Sequence, residues 1–499
     1  MTAARGASAD PVPPVDGWQP PPPSAPGTHP ADAESAAVSV RSAMGGRHAG
    51  TRHPRHPDRA RRPRRRADPW RCREVVLAWL AARVVVGAAL AMTHFLADQA
   101  SGKQNVTLKT TGLLGWDAGW YRTIAETGYS GAGADSRRFF PLLPTLVRAL
   151  AQLPGAGGHA GDILLLIVNG CALGLALALV RLARVEGLGE DTTFRLIWFT
   201  ALAPPAFVLV MGYAEALAGL LAVVVFLGAR TRRFELAAAA GLLGGLCRPL
   251  GVLLAVPIAI EAARGLPVPL ARRLGPPPGA LPAAAAGSPP SASQRSAATL
   301  PAATPSGATP SDATPLDGGP SDGATSEATP SDGRPHGESL GWRMAAILAP
   351  LAGAGIYVVW SAHTYGDGFA PFTIQRDAAR HGAASNPVSV LWHAARGAFH
   401  GELGTGLHVP WILLAITGLV VMYRRLPVSY ALWSTLVLAA VLTGSNLDSA
   451  ERYLYGAFPF LLVAALVTAR REIFTAALVA CTAAMTLYAT LAFTLAYVP

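Results

Sequence analysis

The chain has 499 residues, of which 51% are hydrophobic and only 14% charged. A soluble domain carries about a quarter charged residues, so this balance, with apolar residues in long unbroken runs, excludes an ordinary soluble globule and points to lipid. The formal charge of +11 is concentrated in one place: Arg47 to Arg73 holds eleven arginines against Asp58 and Asp68. Such a run reads better as a solvated tail lying on anionic membrane lipid than as an arm for nucleic acid.

Residues 1–70 are rich in Pro, Ala, Gly and Arg without apolar periodicity, and are expected to be a disordered, basic, cytoplasmic tail. Apolar runs then predict spans near 75–97, 162–180, 193–211, 214–229, 235–247, 249–263, 342–361, 409–423, 427–444, 454–468 and 473–497. The expectation is an all-α polytopic membrane protein with about 9–11 transmembrane helices, the segments on either side of Arg248-Pro249 being two spans or one broken one. Phe139 to Leu153 is short enough to be a re-entrant or interfacial helix. Residues 266–340 form a Pro/Ala/Ser/Thr/Gly linker with a degenerate ATPSD repeat, read as a flexible spacer. It divides an N-terminal membrane half, 75–263, from a C-terminal half, 342–497.

Arginine placement sets the expected orientation. With the tail cytoplasmic, Arg181/Arg184, Arg230/Arg232/Arg233, Arg264/Arg272/Arg273, Arg424/Arg425 and Arg470/Arg471 all fall in cytoplasmic loops. Residues 98–161, the turn near Tyr213, 362–408 and 445–453 then lie outside. Cys72, Cys171, Cys247 and Cys481 contain no CxxC pair, so neither a disulfide framework nor a zinc site is expected. Five histidines between 362 and 408 also lack zinc-site spacing.

Four places combine charge with apolar or aromatic surroundings. In Gly115 to Ala125, Trp116, Trp120 and Ile124 recur every four residues, with Asp117 and Tyr121 on the neighbouring stripe. This predicts a helix whose tryptophans sit in the headgroups while Asp117 faces a cavity. Tyr213 and Glu215 stand at the outer start of a span, where a carboxylate is favoured by the helix dipole alone. Arg248 is the only charge in a long apolar run. Holding it there costs at least ~2.5 kcal/mol unless it finds a partner such as Glu215 or faces a polar cavity. Glu451, Arg452 and Tyr453 precede Phe458-Pro459 at the outer mouth of a span, where snorkelling would also explain Arg452. Arginines suit a phosphate, because the planar fork holds two oxygens. A carboxylate suits a base that takes a proton from an attacking hydroxyl.

W-D-x-x-W-Y-x-x-I-A-x-x-G-Y from Trp116 to Tyr129, followed by F-F-P-L-x-P at Phe139 to Pro144, resembles the GPI mannosyltransferase II (PIG-V-like) family. The Tyr-x-Glu at 213–215, Arg-x-x-Gly at 248–251, Asp367 with Pro-Phe and Gln375, and Arg452-Tyr453 with Phe458-Pro459 follow in the same order. The resemblance implies a GT-C type membrane fold, a polyprenyl-phosphate-mannose donor and an inverting transfer. It places the catalytic base at Asp117. It implies donor or acceptor contacts for Trp116, Trp120, Tyr121, Tyr213, Glu215, Arg248, Asp367, Gln375, Arg452 and Tyr453. No cofactor is implied, since the lipid-linked sugar is a substrate, and metal dependence is left open. With lysine almost absent and Arg, Ala, Gly and Pro abundant, the expected setting is the cell membrane of a GC-rich, actinobacterial-type bacterium. A bacterium making no GPI anchor needs another glycan, glycolipid or protein acceptor. The long tail and the linker are not part of that family pattern. Two other classes fit the same features: a lipid or sugar transporter or flippase, and a non-catalytic membrane scaffold.

Overall fold

In a computed structural model, the protein is described over residues 71–100, 112–264, 339–374, 386–400, 408–443, 447 and 449–494. The tail 1–70, Gln375 and all but the last two residues of the linker lie outside the described residues. The described elements are all helical. The N-terminal half runs α1 (Cys72–Ala100), α2 (Asp117–Ala132), α3 (Leu142–Ala151), α4 (Ala160–Val185), α5 (Glu190–Leu202), α6 (Glu215–Arg230), α7 (Phe234–Cys247) and α8 (Ala255–Ala263). The C-terminal half runs α9 (Leu340–Tyr365), α10 (Ala370–Thr373), α11 (Pro387–Phe399), α12 (Val409–Arg425), α13 (Val428–Leu442), α14 (Ala450–Gly456), α15 (Pro459–Val467) and α16 (Arg471–Phe493).

Among the described residues, four helices are long and apolar enough to cross a membrane: α1 over Cys72–Ala97, α4, α9 and α16. The bent pair α14–α15, turning by 84°, makes a fifth if counted as one span. Leu77, Leu80, Val84 and Phe95 on α1, and Leu348, Leu351 and Val359 on α9, are exposed apolar side chains. In water they would be costly, and in lipid they are the expected outer face. The expected 9–11 spans are not reached on length. Helices such as α7 and α13 are apolar but only 14 and 15 residues long.

Proline explains where the helices break. The run 193–211, expected as one span, ends as α5 at Leu202 and continues as a 3-10 stretch over Pro204–Leu209. Two successive prolines there remove two amide donors and cannot continue an α-helix. Phe458-Pro459 bends α14 against α15 in the same way. At Arg248-Pro249 the chain leaves α7 in an extended conformation and folds back through a 3-10 turn over Pro249–Leu254. A Cβ on Gly251 would lie 2.0 Å from the Gly244 carbonyl oxygen, so only glycine permits this hairpin. The segment around Arg248 is therefore two antiparallel pieces.

The two halves meet along α7 and α9. A Cβ added to Gly245 would lie 2.0 Å from the Pro350 carbonyl oxygen, and one on Gly353 would lie 2.1 Å from that of Leu242. Small residues let the two backbones approach this closely, as in many membrane helix pairs. At the end of α6 away from Glu215, Arg230 grips Glu186 through two hydrogen bonds of 2.7 and 2.8 Å and reaches Glu261 at 3.1 Å. Ser429 and Tyr430 donate to Glu261 and Glu186, and Arg264 joins at 3.1 Å. Arg230 and Arg264, expected as loop charges, are instead buried and tie together α4, α6, α8 and α13. An unpaired charge at that depth is costly, so facing helices supply partners.

Candidate functional site

Asp117 is the first residue of α2, and its carboxylate accepts a 2.7 Å hydrogen bond from Arg452 Nη1 on α14, 335 residues away. Glu215 opens α6 and accepts from Arg248 Nη1 at 2.5 Å. Arg452 Nε lies 3.1 Å from the same Glu215 oxygen but makes no hydrogen bond to it. Arg452 therefore stands between two carboxylates, and Glu215 between two guanidiniums. Tyr213 and Tyr453 close the cluster with their ring faces: Arg452 lies 5.2 and 5.3 Å from them, and Arg248 5.1 Å from Tyr453. The side chains of Glu215 and Arg452 are 2% and 7% exposed, those of Arg248 and Asp117 16% and 25%. Asp117 is thus the most open carboxylate of the cluster.

Tyr121, one turn along α2 from Asp117, packs edge-on against Phe139 with ring centroids 5.1 Å apart. Burial pushes its phenol well above the usual tyrosine range. Arg248 opposes that shift, while Asp117 and Glu215 add to it. The ring stays neutral and walls the cluster on one side. Trp120 stacks on Phe139 with ring centroids 5.8 Å apart.

The indole N–H of Trp116 donates to the Ala492 carbonyl of α16 at 2.9 Å. Both tryptophans of the stripe are partly buried and have contacts within the protein. Trp116 is tied to the last long helix, Trp120 stacks in the protein, and Ile124 is buried. Trp116 also adopts φ 57° and ψ −129°, a strained conformation for a side chain with a Cβ. Ser449, just before α14, has φ 63°. Strain of this kind persists where surrounding structure over-determines it, and it collects at functional sites. Two of the four described non-glycine residues with positive φ flank the cluster.

The snorkelling alternative for Arg452 is overturned, because its head is buried between carboxylates rather than turned to water. Arg248 has the Glu215 partner and also lines a cavity. From Glu215, Arg248 and Tyr453 a narrow cleft of about 60 Å³ runs between Leu254, Trp433 and Val437. One end is charged and the walls beyond are apolar. Asp367 lies elsewhere: its carboxylate accepts the Phe369 amide at 2.8 Å and caps a turn. Among the described residues no group of three metal-type ligands forms.

Several participants escaped the sequence reading. Arg83 sits in α1 and bonds to Asn169, although the lone-charge signal that marked Arg248 was equally present there. His408 Nδ1 lies 2.7 Å from buried Glu451, the neighbour of Arg452. No sequence spacing links those two residues.

The fold and site define a class: an all-helical membrane protein with a ring of opposed charges at the head of an apolar cleft. No protein-family model, curated protein or solved structure matches the chain.

Proposed function

We propose that the protein is an integral membrane glycosyltransferase. It moves mannose from a polyprenyl-phosphate donor to an acceptor hydroxyl on the extracytoplasmic face, with inversion at the sugar carbon. The observation that supports this most is the Asp117–Arg452–Glu215–Arg248 cluster, two of whose members, Glu215 and Arg248, line the charged end of the apolar cleft. Four short motifs that resemble the PIG-V-like family supply that cluster, although they lie far apart in the chain. A GT-C type fold and the bacterial cell membrane, with the N-terminus cytoplasmic, belong to the same proposal.

The chemistry follows from the charges. Two guanidiniums offer planar donors to a phosphodiester, and the apolar walls suit the first isoprene units of a lipid tail. In the ligand-free cluster two carboxylates balance two arginines. An arriving phosphate competes for the Arg452 donors and uncovers the Asp117 carboxylate. The acceptor oxygen then attacks the sugar carbon while the bond to the phosphate oxygen breaks. The polyprenyl phosphate leaves with the electron pair, and the hydroxyl proton passes to Asp117. A positioned base of this kind is worth ~10²–10⁴-fold.

Purified protein given mannosyl-phosphoryl-polyprenol and an acceptor extract should release polyprenyl phosphate. Asp117→Asn should bind the donor yet turn over at least ~100-fold more slowly. Asp135→Asn and Asp367→Asn should retain most activity. Near-normal turnover in the Asp117 variant, with collapse in either control, would place the base elsewhere. The broken helices at Pro204 and Arg248-Pro249 also suit a lipid or sugar transporter. That reading expects the donor to cross the bilayer chemically unchanged.

A further inference from the structure

We propose that Arg83 and Asn169 are a positioning pair, which holds the broken segment that delivers Tyr213 and Glu215 to the charged cluster. Arg83 lies eleven residues into the 29-residue α1, about 16 Å along it at 1.5 Å per residue. Its Nε donates to Asn169 Oδ1 at 2.9 Å, its Nη1 to the Trp79 carbonyl at 3.1 Å, and its Nη2 to the Leu209 carbonyl at 3.3 Å. The guanidinium also stacks over Trp79, 4.1 Å from the ring centroid. Among the described residues it has no carboxylate partner. A cation so deep in a span with only neutral acceptors is expensive, and what it holds is therefore informative.

It holds backbone. The prolines at 204 and 205 force the 3-10 stretch, and its last carbonyls have no partner one α-turn on. In a membrane interior each unsatisfied carbonyl costs several kcal/mol. Arg83 covers Leu209, and Asn169 Nδ2 covers Val210 at 3.3 Å while also bonding Leu165 at 2.8 Å. Asn169 is in turn pinned through its own carbonyl, which accepts the Trp79 indole N–H at 3.0 Å. Four residues after Leu209 comes Tyr213, and two residues further Glu215 opens α6. Tyr455, on the helix that carries Arg452, donates to the Thr200 carbonyl at the other end of the broken segment. The pair therefore fixes the depth and direction at which α6 begins.

The positioning role follows from these bonds, and its effect on turnover rests on the transferase reading. The test uses the purified full chain in detergent, comparing Arg83→Gln and Asn169→Asp with the unsubstituted protein by hydrogen–deuterium exchange. Asn169→Asp keeps an acceptor for Arg83 and supplies the missing countercharge. It removes the Nδ2 donor that serves Val210 and, within α4, Leu165. A role limited to neutralising Arg83 is satisfied or improved by this change, whereas positioning is not.

Both variants should raise exchange over 209–215 by about tenfold while leaving the α13 region 428–442 unchanged. Turnover should fall about 10–100-fold, since a misplacement of ~1 Å at a reacting group costs up to ~10²-fold. The donor KM should move less than turnover does. Unchanged exchange over 209–215 in both variants overturns the proposal. So does a uniform rise across the molecule, or normal local exchange in Asn169→Asp alone. If the unsubstituted protein transfers no sugar but exchange responds as stated, the transferase reading fails and the positioning role stands. If transfer is normal in variants whose exchange has changed, the catalytic consequence is wrong.

Discussion

Arg248 and Arg452 carry the same charge in the same cluster, yet their surroundings assign them different tasks. Arg452 touches both carboxylates and is 7% exposed, whereas Arg248 meets one carboxylate and lines the cleft. Arg248 is thus the arginine better placed to meet a ligand entering from the apolar side. Arg248→Lys keeps the charge but loses the planar fork. We expect donor KM to rise by about tenfold, the equivalent of one charge-assisted hydrogen bond, with the fold intact. Unchanged donor affinity in a well-folded lysine variant would rule out a phosphate role for Arg248. At this scale much was visible beforehand, because a lone arginine in an apolar run announces itself. Asp117, Glu215, Arg248 and Arg452 were all named from sequence, and the structure brings them together. Asp367 was named as well and falls outside the cluster, because a short Gly-Asp motif also serves to cap a turn.

The helices matter as carriers of two separated polar groups. α6 begins at Glu215 in the charged cluster and ends at Arg230 in the buried network with Glu186 and Glu261. The 3-10 turn and α8 likewise run from Arg248 to Glu261. Breaking the distant network should cost stability rather than chemistry. Arg230→Met leaves Glu186 and Glu261 without their shared cation, a loss typically worth about 3–5 kcal/mol. The midpoint of thermal unfolding should fall clearly, while turnover measured well below that midpoint stays within about twofold. A variant that melts normally but has lost transfer would show that the network acts on the site. Element boundaries followed the apolar runs closely, from 75–97 for α1 to 409–423 for α12. The runs 193–211 and 454–468 did not behave as single helices, because proline outweighs hydrophobic length wherever both are present.

For the whole molecule, the arginine alternation makes a topology that labelling can test. A cysteine at Ser130, exposed on α2, should react with an impermeant reagent in intact cells once Cys72 is replaced. A cysteine at Ser321 in the linker should not. Reaction at Ser321 from outside would reverse the orientation. Deleting 280–335 should leave folding and transfer within about twofold, because that stretch has few apolar residues to pack into a core. The halves on either side are held by the close α7–α9 contact at Gly245 and Gly353. Loss of transfer in a folded deletion would give the linker a direct role.

Composition and order along the chain were enough to determine an all-helical membrane protein, most of the places where helices start and stop, and most residues of the cluster. Those signals are local: apolar run length, proline, and a charge where charges are costly. Pairing is not local. Asp117 meets Arg452 across 335 residues, Trp116 bonds to Ala492 across 376, and Arg230 is buried rather than in a loop. Arg83 and Asn169 each hold one carbonyl of the broken backbone only because α1, α4 and the 3-10 stretch converge there. Which face of a helix is covered, and by what, depends on elements far away in sequence. Only the packed structure could decide whether a charge is a topology signal, a clamp or part of a site.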